Sequence, residues 1–446
     1  MKKRLALLTM LTAFILALSL CLSSCGILAR IAERREEANT EDTDKDSDLP
    51  QNSGSFEDIE GADDIVQSGN GEQNTVGGSG NSDNNTNNNN TTVIIGGGSG
   101  DVSQAAALGL RSSVGVVAGF GSLGASGGSG VIYKLDASEG SAFIITNYHV
   151  VYYNGSISSD ISIYLYGMQS SDNAISATYV GGSANYDIAV LRVENSSILK
   201  SSAANRTVTA VNVANSDNVV VGTAVIAIGT PGVDDSAGAS SIAATSGIVS
   251  VESEYITMSS INGVGSVDFR VVRIDAAVNS GNSGGGLFNA KGELVGIVNA
   301  KITETDVENI AYAIPSNVVK AVCENIIYYC YGKDCKCVVR ALMGVTVTAT
   351  RLYSEYDETT GYIRPCEDIS VYEVSSGSLA DGKLCAGDVI KSVKIGDIEV
   401  QVKRMHHLID TMLYARLGDE VITTVVRNGQ EMEIKIVITE AALTES

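Results

Sequence analysis

Between Ala105 and Ile314 the chain passes through nine short runs rich in β-branched residues: VGVVAGF, GVIYKL, AFIITN, ISIYLY, IAVLRV, VVVGTAVIAIG, GIVSV, FRVVRID and LVGIVNAKI. Gly, Asn and Ser separate them, and no helical stretch intervenes. Such a pattern argues for an all-β sandwich or a pair of barrels. Only 4 Pro occur in 446 residues, so glycine and asparagine must make the turns. The period changes at SNVVKAVCENIIYYC, where apolar residues recur three to four apart behind Pro315, predicting a helix over Ser316 to Cys330. From about Ala341 to Glu440, strands (ISVYEV, VITTVV, EIKIVI) mix with a short helix near His406 to Ala415, an α+β pattern.

The ends of the chain differ in kind from this middle. Lys2, Lys3 and Arg4 precede an apolar run from Leu5 to Leu22, followed by Ser23-Ser24-Cys25-Gly26. This resembles a bacterial lipoprotein signal over residues 1–24, with Cys25 lipidated as the first mature residue. The alternative is an uncleaved membrane helix, since the run is close to the roughly 20 residues that span a bilayer. Either way the rest lies on the outer face of the cytoplasmic membrane. Residues 25–104, first charged and then NSDNNTNNNNTT and GGGSG, cannot bury enough apolar area to offset ordering entropy and read as a disordered tether. The net charge of -22 excludes a nucleic-acid partner and adhesion to anionic lipid by surface charge.

Chemistry concentrates in three places. His149 stands in SAFIITNYHVV, one of only 3 histidines. Asp187, in SANYDIAVLRV, abuts a purely apolar strand, a costly position for a carboxylate without a partner. Ser283, in NSGNSGGGLF, lies among glycines that let backbone N–H groups converge on an oxyanion. Together they meet the needs of acyl transfer: Ser283 as nucleophile, His149 as base and then acid, Asp187 to hold the imidazole. The oxyanion donors would come from Gly281, Asn282 and Ser283. The order His, Asp, Ser is that of the double-barrel serine proteases.

The blocks TNYHVV, NYDIAVLRV, VGTAVIAIGTPG, ATSGIVSV, RIDAAVNSGNSGGGLFNAKGELVGIVNAKI and IAYAIP resemble, in order and spacing, those of the HtrA (DegP-type) serine proteases. The resemblance covers about Ala105 to Val319. LMGVTV, VYEVSSGSLADGKLCAGDVIKSVKIGD and VVRNGQ are similar to a PDZ module. It implies a mainly β chain: a chymotrypsin-like double barrel over 105–332 and a small α+β PDZ domain over 338–441. It further implies a membrane-tethered serine endopeptidase acting on unfolded exported proteins, without a cofactor or metal, as a homotrimer. For the trimer contacts, Phe120 is the only aromatic in ALGLRSSVGVVAGFGS. Family analogy places the specificity pocket at Ala277, Val278, Asn299, Ala300, Tyr312 and Ala313. With no acid at Ala277 or Val278, the pocket should accept small or medium aliphatic side chains. Peptide C-termini would be captured around Leu342, Met343, Gly344 and Val345 by strand addition. Two departures stand out: Gly286 and Ser280 occupy positions where the family usually has proline.

Six cysteines, at 323, 330, 335, 337, 366 and 385, remain unexplained by that resemblance. Cys335-Lys336-Cys337 resembles a metal-ligating pair, but no nearby histidine completes a familiar zinc spacing, and disulfides are the favoured reading. On one helix Cys323 and Cys330 would stand about 10 Å apart and could not pair. Cys330 is expected to pair with Cys335, and Cys366 with Cys385. His406 and His407, adjacent on a helix, are expected to face different sides as groove or surface residues. Two other function classes compete: a non-catalytic chaperone or peptide-binding protein on a protease scaffold, disfavoured by the intact triad, and a stalked adhesin, supported only by the Asn-rich segment.

Overall fold

In a computed structural model of the chain, the residues described are 102–231, 241–263, 265–300, 310–358 and 360–446, all within one unit. The apolar run at 5–22, Cys25 and the tether up to residue 101 lie outside them. No helix among the described residues is long and apolar enough to cross a membrane.

The β-branched runs become two closed six-stranded antiparallel barrels. The first holds β1 (Ser113–Gly119), β2 (Ala125–Asp136), β3 (Ser141–Thr146), β4 (Asp160–Leu165), β5 (Ile175–Ser183) and β6 (Ile188–Val193), in the order β1-β2-β3-β6-β5-β4. The second holds β7 (Ala224–Gly229), β8 (Ala243–Ser259), β9 (Ser266–Ile274), β10 (Gly286–Asn289), β11 (Leu294–Asn299) and β12 (Ala311–Pro315), in the order β8-β9-β12-β11-β10-β7. Alternation along these strands fills each lumen with aliphatic side chains: Val116, Ile132, Ile144, Ile163 and Leu191 in the first, Val225, Val272, Leu287 and Val298 in the second.

Helix α1 (Val102–Leu110) precedes the first strand, and the sequence did not announce it. Its first residues fall in the stretch read as tether, and it lies against the second barrel: a Cβ at Gly109 would come within 2.6 Å of Ile228 Cδ1. Two short helices, α2 (Tyr148–Val151) and α3 (Ser197–Ala204), follow, and α4 spans the expected Ser316–Cys330. The inward face of α4 (Val318, Val319, Val322, Cys323, Ile326) closes the seam between the barrels. Asn325, fully buried on this helix, donates to the carbonyls of Val339 and Leu413 at 2.8 and 2.9 Å and accepts from Val339 N–H at 2.9 Å.

The C-terminal part forms a five-stranded sheet of β14 (Val345–Asp357), β15 (Tyr362–Val374), β16 (Val389–Ile395), β18 (Glu420–Arg427) and β19 (Gln430–Val437), with β17 (Ile398–Gln401) paired to β16. Helix α5 (Met405–Met412) packs across it. The short strands β13 (Val339–Ala341) and β20 (Leu443–Glu445) pair with one another, so the folded region continues past residue 441. The AGDVI turn is pinned by Arg427, whose Nε and Nη2 meet the two oxygens of buried Asp388 at 2.6 and 2.7 Å.

The two parts meet through charged and polar groups. Arg270 of β9 donates to Asp410 of α5 at 2.6 Å. Both histidines of α5 turn toward Asp217, His406 Nε2 and His407 Nε2 each 3.6 Å from a carboxylate oxygen. Their rings touch edge to face at 4.5 Å, contrary to the expectation of opposite faces. The helix begins at Met405, so this pair sits in its first turn, beside Asp217. Burial holds His406 down to about 3, with Asp217 opposing, and lowers His407 as well. All six described cysteines are free thiols, so neither expected disulfide is formed. Cys366 lies in β15 against Glu355, while Cys385 is exposed at the turn before Asp388.

Candidate active site

His149 and Asp187 meet on the first barrel, and the loop that carries Ser283 lies against the end of β3, where a Cβ on Gly284 would come within 3.0 Å of Asn147 N. His149 sits on α2 immediately after β3, Asp187 at the entrance to β6, and Ser283 on the loop before β10. His149 Nδ1 lies 2.7 Å from Asp187 Oδ2, and the His149 N–H donates to Oδ1 at 3.0 Å. Asn147 Nδ2 donates to the Asp187 carbonyl at 2.8 Å, tying the two loops a second time. Asp187 takes a positive φ of 48°, a conformation that costs a non-glycine residue about 1–2 kcal/mol. That turn aims its carboxylate back at His149, where it is 1% exposed.

A third donor reaches the same carboxylate. Asn299, at the end of β11, donates from Nδ2 to Asp187 Oδ2 at 2.7 Å and is 1% exposed. Its side chain therefore serves Asp187, where the sequence reading had it as a pocket wall. Tyr312 packs with Phe269 and Val271 against the outside of the second barrel, and Ala313 faces that barrel's core. Ala277 is exposed, Val278 is half-buried, and Ala300 is buried.

The nucleophile loop is held from both barrels by two residues that sequence reasoning passed over. Ser129 donates from Oγ to Gly281 carbonyl at 2.7 Å and from N to Ser283 carbonyl at 2.8 Å. Thr230 donates its N–H to Ser129 Oγ at 2.8 Å and its hydroxyl to Gly128 carbonyl at 2.7 Å. The glycine-rich GGSGV and GTPG strings were the available signal. Gly284 has φ of 84°, and a Cβ there would meet Ser129 O at 2.2 Å, so only glycine fits. At Gly286, the family's proline position, a Cβ would lie 2.4 Å from the Phe288 ring, which fills that space instead.

Ser283 is 5% exposed, and its Oγ accepts from Ala300 N–H at 3.1 Å; among the described residues no hydrogen bond joins it to His149. The N–H groups of Gly281 and Ser283 have no partner among the described residues, whereas that of Asn282 donates to Asn279 carbonyl at 3.0 Å. Two donors, not three, are thus open to an oxyanion. In the C-terminal part, Leu342, Met343, Gly344, Val345, Leu408 and Met412 line a cleft of about 290 Å³. The Leu342 N–H is taken by Ala442 carbonyl at 2.8 Å, leaving the rest of that loop and the free edge of β14.

Residues 128–297 match the trypsin-like peptidase domain. The chain is 36% identical over 316 residues to the serine protease Do-like HtrA of Bacillus subtilis (strain 168), covering 69% of this chain and 62% of that one. It is 31% identical to the serine protease Do-like HtrA of Lactococcus lactis subsp. cremoris (strain MG1363), over 71% of each chain. The chain belongs to the Do-like HtrA family of serine proteases. Among solved structures, the HtrA-type protease AlgW with tripeptide shares 25% identity over 77% of this HtrA chain and 97% of its own, with a TM-score of 0.48. The mainly β, double-barrel architecture accords with this membership.

Proposed function

We propose that this HtrA-family chain is a serine endopeptidase that cleaves unfolded exported polypeptides with His149, Asp187 and Ser283. The observation that carries the reading is the buried Asp187 carboxylate held by His149 Nδ1 at 2.7 Å, next to the segment against which the Ser283 loop packs. With its proton on Nδ1 and shared with Asp187, the imidazole keeps Nε2 unprotonated. Rotation of Ser283 Oγ from Ala300 N–H toward Nε2 lets the hydroxyl lose its proton as it attacks a carbonyl; catalytic hydrogen bonds commonly tighten only with substrate. The open N–H groups of Gly281 and Ser283 receive the oxyanion. His149 then returns the proton to the leaving amine, and water repeats the sequence on the acyl-enzyme.

The finer features follow the same reading. Ala277 and Val278 carry no charge, so cleavage after small or medium aliphatic residues is favoured. Residues 105–332 constitute the protease and 338–441, extended to β20, a PDZ domain whose cleft and β14 edge take peptide C-termini. Cys25 carries a lipid that holds the enzyme at the outer face of the cytoplasmic membrane. The decisive experiment is casein cleavage by purified residues 100–446 beside Ser283→Ala. Loss of the nucleophile should lower turnover about a million-fold with the fold intact; equal hydrolysis by both proteins would reject the reading and favour a binding protein on a protease scaffold.

A further inference from the structure

At the end of α4 lies a second cluster of reactive side chains, separate from the triad. The turn YGKDCKC brings Cys335 and Cys337 back to Cys330, the last residue of the helix. Cys330 Sγ and Cys335 Sγ are 3.2 Å apart, well beyond the roughly 2.05 Å of a bond. Both thiols donate to the Cys337 carbonyl at 3.2 Å. Pairing of β20 with β13 sets Glu445 opposite Val339. Cys335 Sγ, Cys337 Sγ and a Glu445 oxygen consequently all lie within 4.8 Å of one another.

We propose that Cys330, Cys335, Cys337 and Glu445 form a structural site for one divalent cation of the zinc class. Metal–sulfur bonds near 2.3 Å and metal–oxygen bonds near 2.1 Å put the donors of a tetrahedral site about 3.6 to 3.8 Å apart. Cys335, Cys337 and Glu445 lie within 4.8 Å of one another and Cys330 Sγ lies 3.2 Å from Cys335 Sγ, so three donors already surround one point and the Cys330 thiol must turn from the Cys337 carbonyl to join them. Three thiolates select a borderline-soft metal over calcium or magnesium. A Cys330–Cys335 disulfide would use only two of the three thiols and give Glu445 no role. Sequence spacing argued against metal here because no histidine stands nearby; the fourth donor comes from the far end of the chain, through a strand of three residues. Asp217, His406 and His407 offer another three-donor cluster. There, however, His407 Nδ1 accepts from Lys403 N–H at 3.1 Å, which puts the ring proton on the Nε2 that faces Asp217.

The position gives the site a mechanical role. Lys336 carbonyl, between the two cysteines, accepts from Gly182 N–H at 3.0 Å and Tyr179 hydroxyl at 3.2 Å, both on β5. An ion here therefore fastens β20 and the end of α4 to the barrel strand that leads toward Asp187.

Cobalt(II) titration of the reduced, metal-stripped full-length chain tests this. One equivalent should bind with an intense thiolate-to-cobalt charge-transfer band and the visible bands of a tetrahedral centre. The charge-transfer band should weaken and its titration lose the one-equivalent end point in Cys337→Ser, and Zn2+ should raise the melting temperature of wild type more than that of the variant. Glu445→Gln, at an exposed position, should retain the thiolate band but bind at least tenfold more weakly. Absence of a thiolate band in reduced wild type, an undiminished band in Cys337→Ser, or a Cys330–Cys335 disulfide in metal-free protein as isolated would overturn the proposal.

Discussion

Asn299→Ala isolates the third donor to the Asp187 carboxylate. In the native chain Oδ2 receives both His149 Nδ1 and Asn299 Nδ2 at 2.7 Å, and Oδ1 receives His149 N–H. The alanine variant keeps both bonds from His149 and removes only the amide. A hydrogen bond to a charged group contributes about 1.5–3 kcal/mol. If that interaction is felt where the imidazolium forms, kcat/KM falls roughly ten- to a hundredfold, at about 1.4 kcal/mol per factor of ten. Asp187→Asn, which presents the wrong imidazole tautomer, should cost about ten-thousand-fold. Asn299→Asp supplies a test of sign: an acceptor facing a buried carboxylate should be worse than alanine, because two like charges compete for one proton. The assay is kcat/KM on a quenched fluorescent peptide with valine before the scissile bond, with melting temperatures measured alongside. A role confined to stability would shift melting without changing turnover of the folded enzyme. Asn299→Ala within twofold of wild type, or Asn299→Asp equal to it, would refute the reasoning.

Mass-spectrometric mapping of cuts in an unfolded substrate should place them after Val, Ala, Leu or Ile; a majority after Lys or Arg would contradict an uncharged pocket at Ala277 and Val278. Membrane fractionation of Cys25→Ser should release the protein, with N-terminal analysis of wild type beginning at modified Cys25; finding Met1 or Lys2 there would reject lipidation. Acidification should destabilise the contact between α5 and Asp217. His406, held by burial at about 3, and His407, lowered for the same reason, are neutral at pH 7 in both folded and unfolded chains. Below about pH 6.5 only the unfolded chain takes up those protons, so stability falls by about 1.4 kcal/mol per pH unit for His406. Asp410, raised by burial to about 6 despite Arg270, works in the opposite direction but only below that pH. The melting temperature should therefore drop between pH 7.5 and 5, and by less in His406→Gln; an equal drop in both proteins would clear His406 of the effect.

What the sequence disclosed and what it concealed divide along a physical line. Strand runs were legible because alternation is local, and Asp187 stood out because a carboxylate beside IAVLRV must have a partner. The same rule says only that a partner exists, not which one. Asn299 was assigned to the pocket because its contact lies 112 residues away on the other barrel. Helix α1 escaped notice because VSQAAALGL joins a glycine-rich segment and is stabilised by packing of Gly109 against Ile228 and Phe288, which no local pattern records. The two histidines of α5 were read from helix geometry alone, whereas Asp217, from the protease part, draws both rings to one side. Glu445 lay beyond the assigned boundary because a three-residue strand carries almost no periodic signal. Each hidden feature is a tie between distant segments, and several are polar groups removed from water. Such a group is costly alone and favourable once paired, so the pairing specifies how the parts dock. Asn325 shows this plainly: one buried amide fixes Val339 and Leu413 to α4, and with them the start of β13 and the end of α5. The apolar pattern therefore determines which surfaces are buried, while these few polar ties determine which segments meet across them.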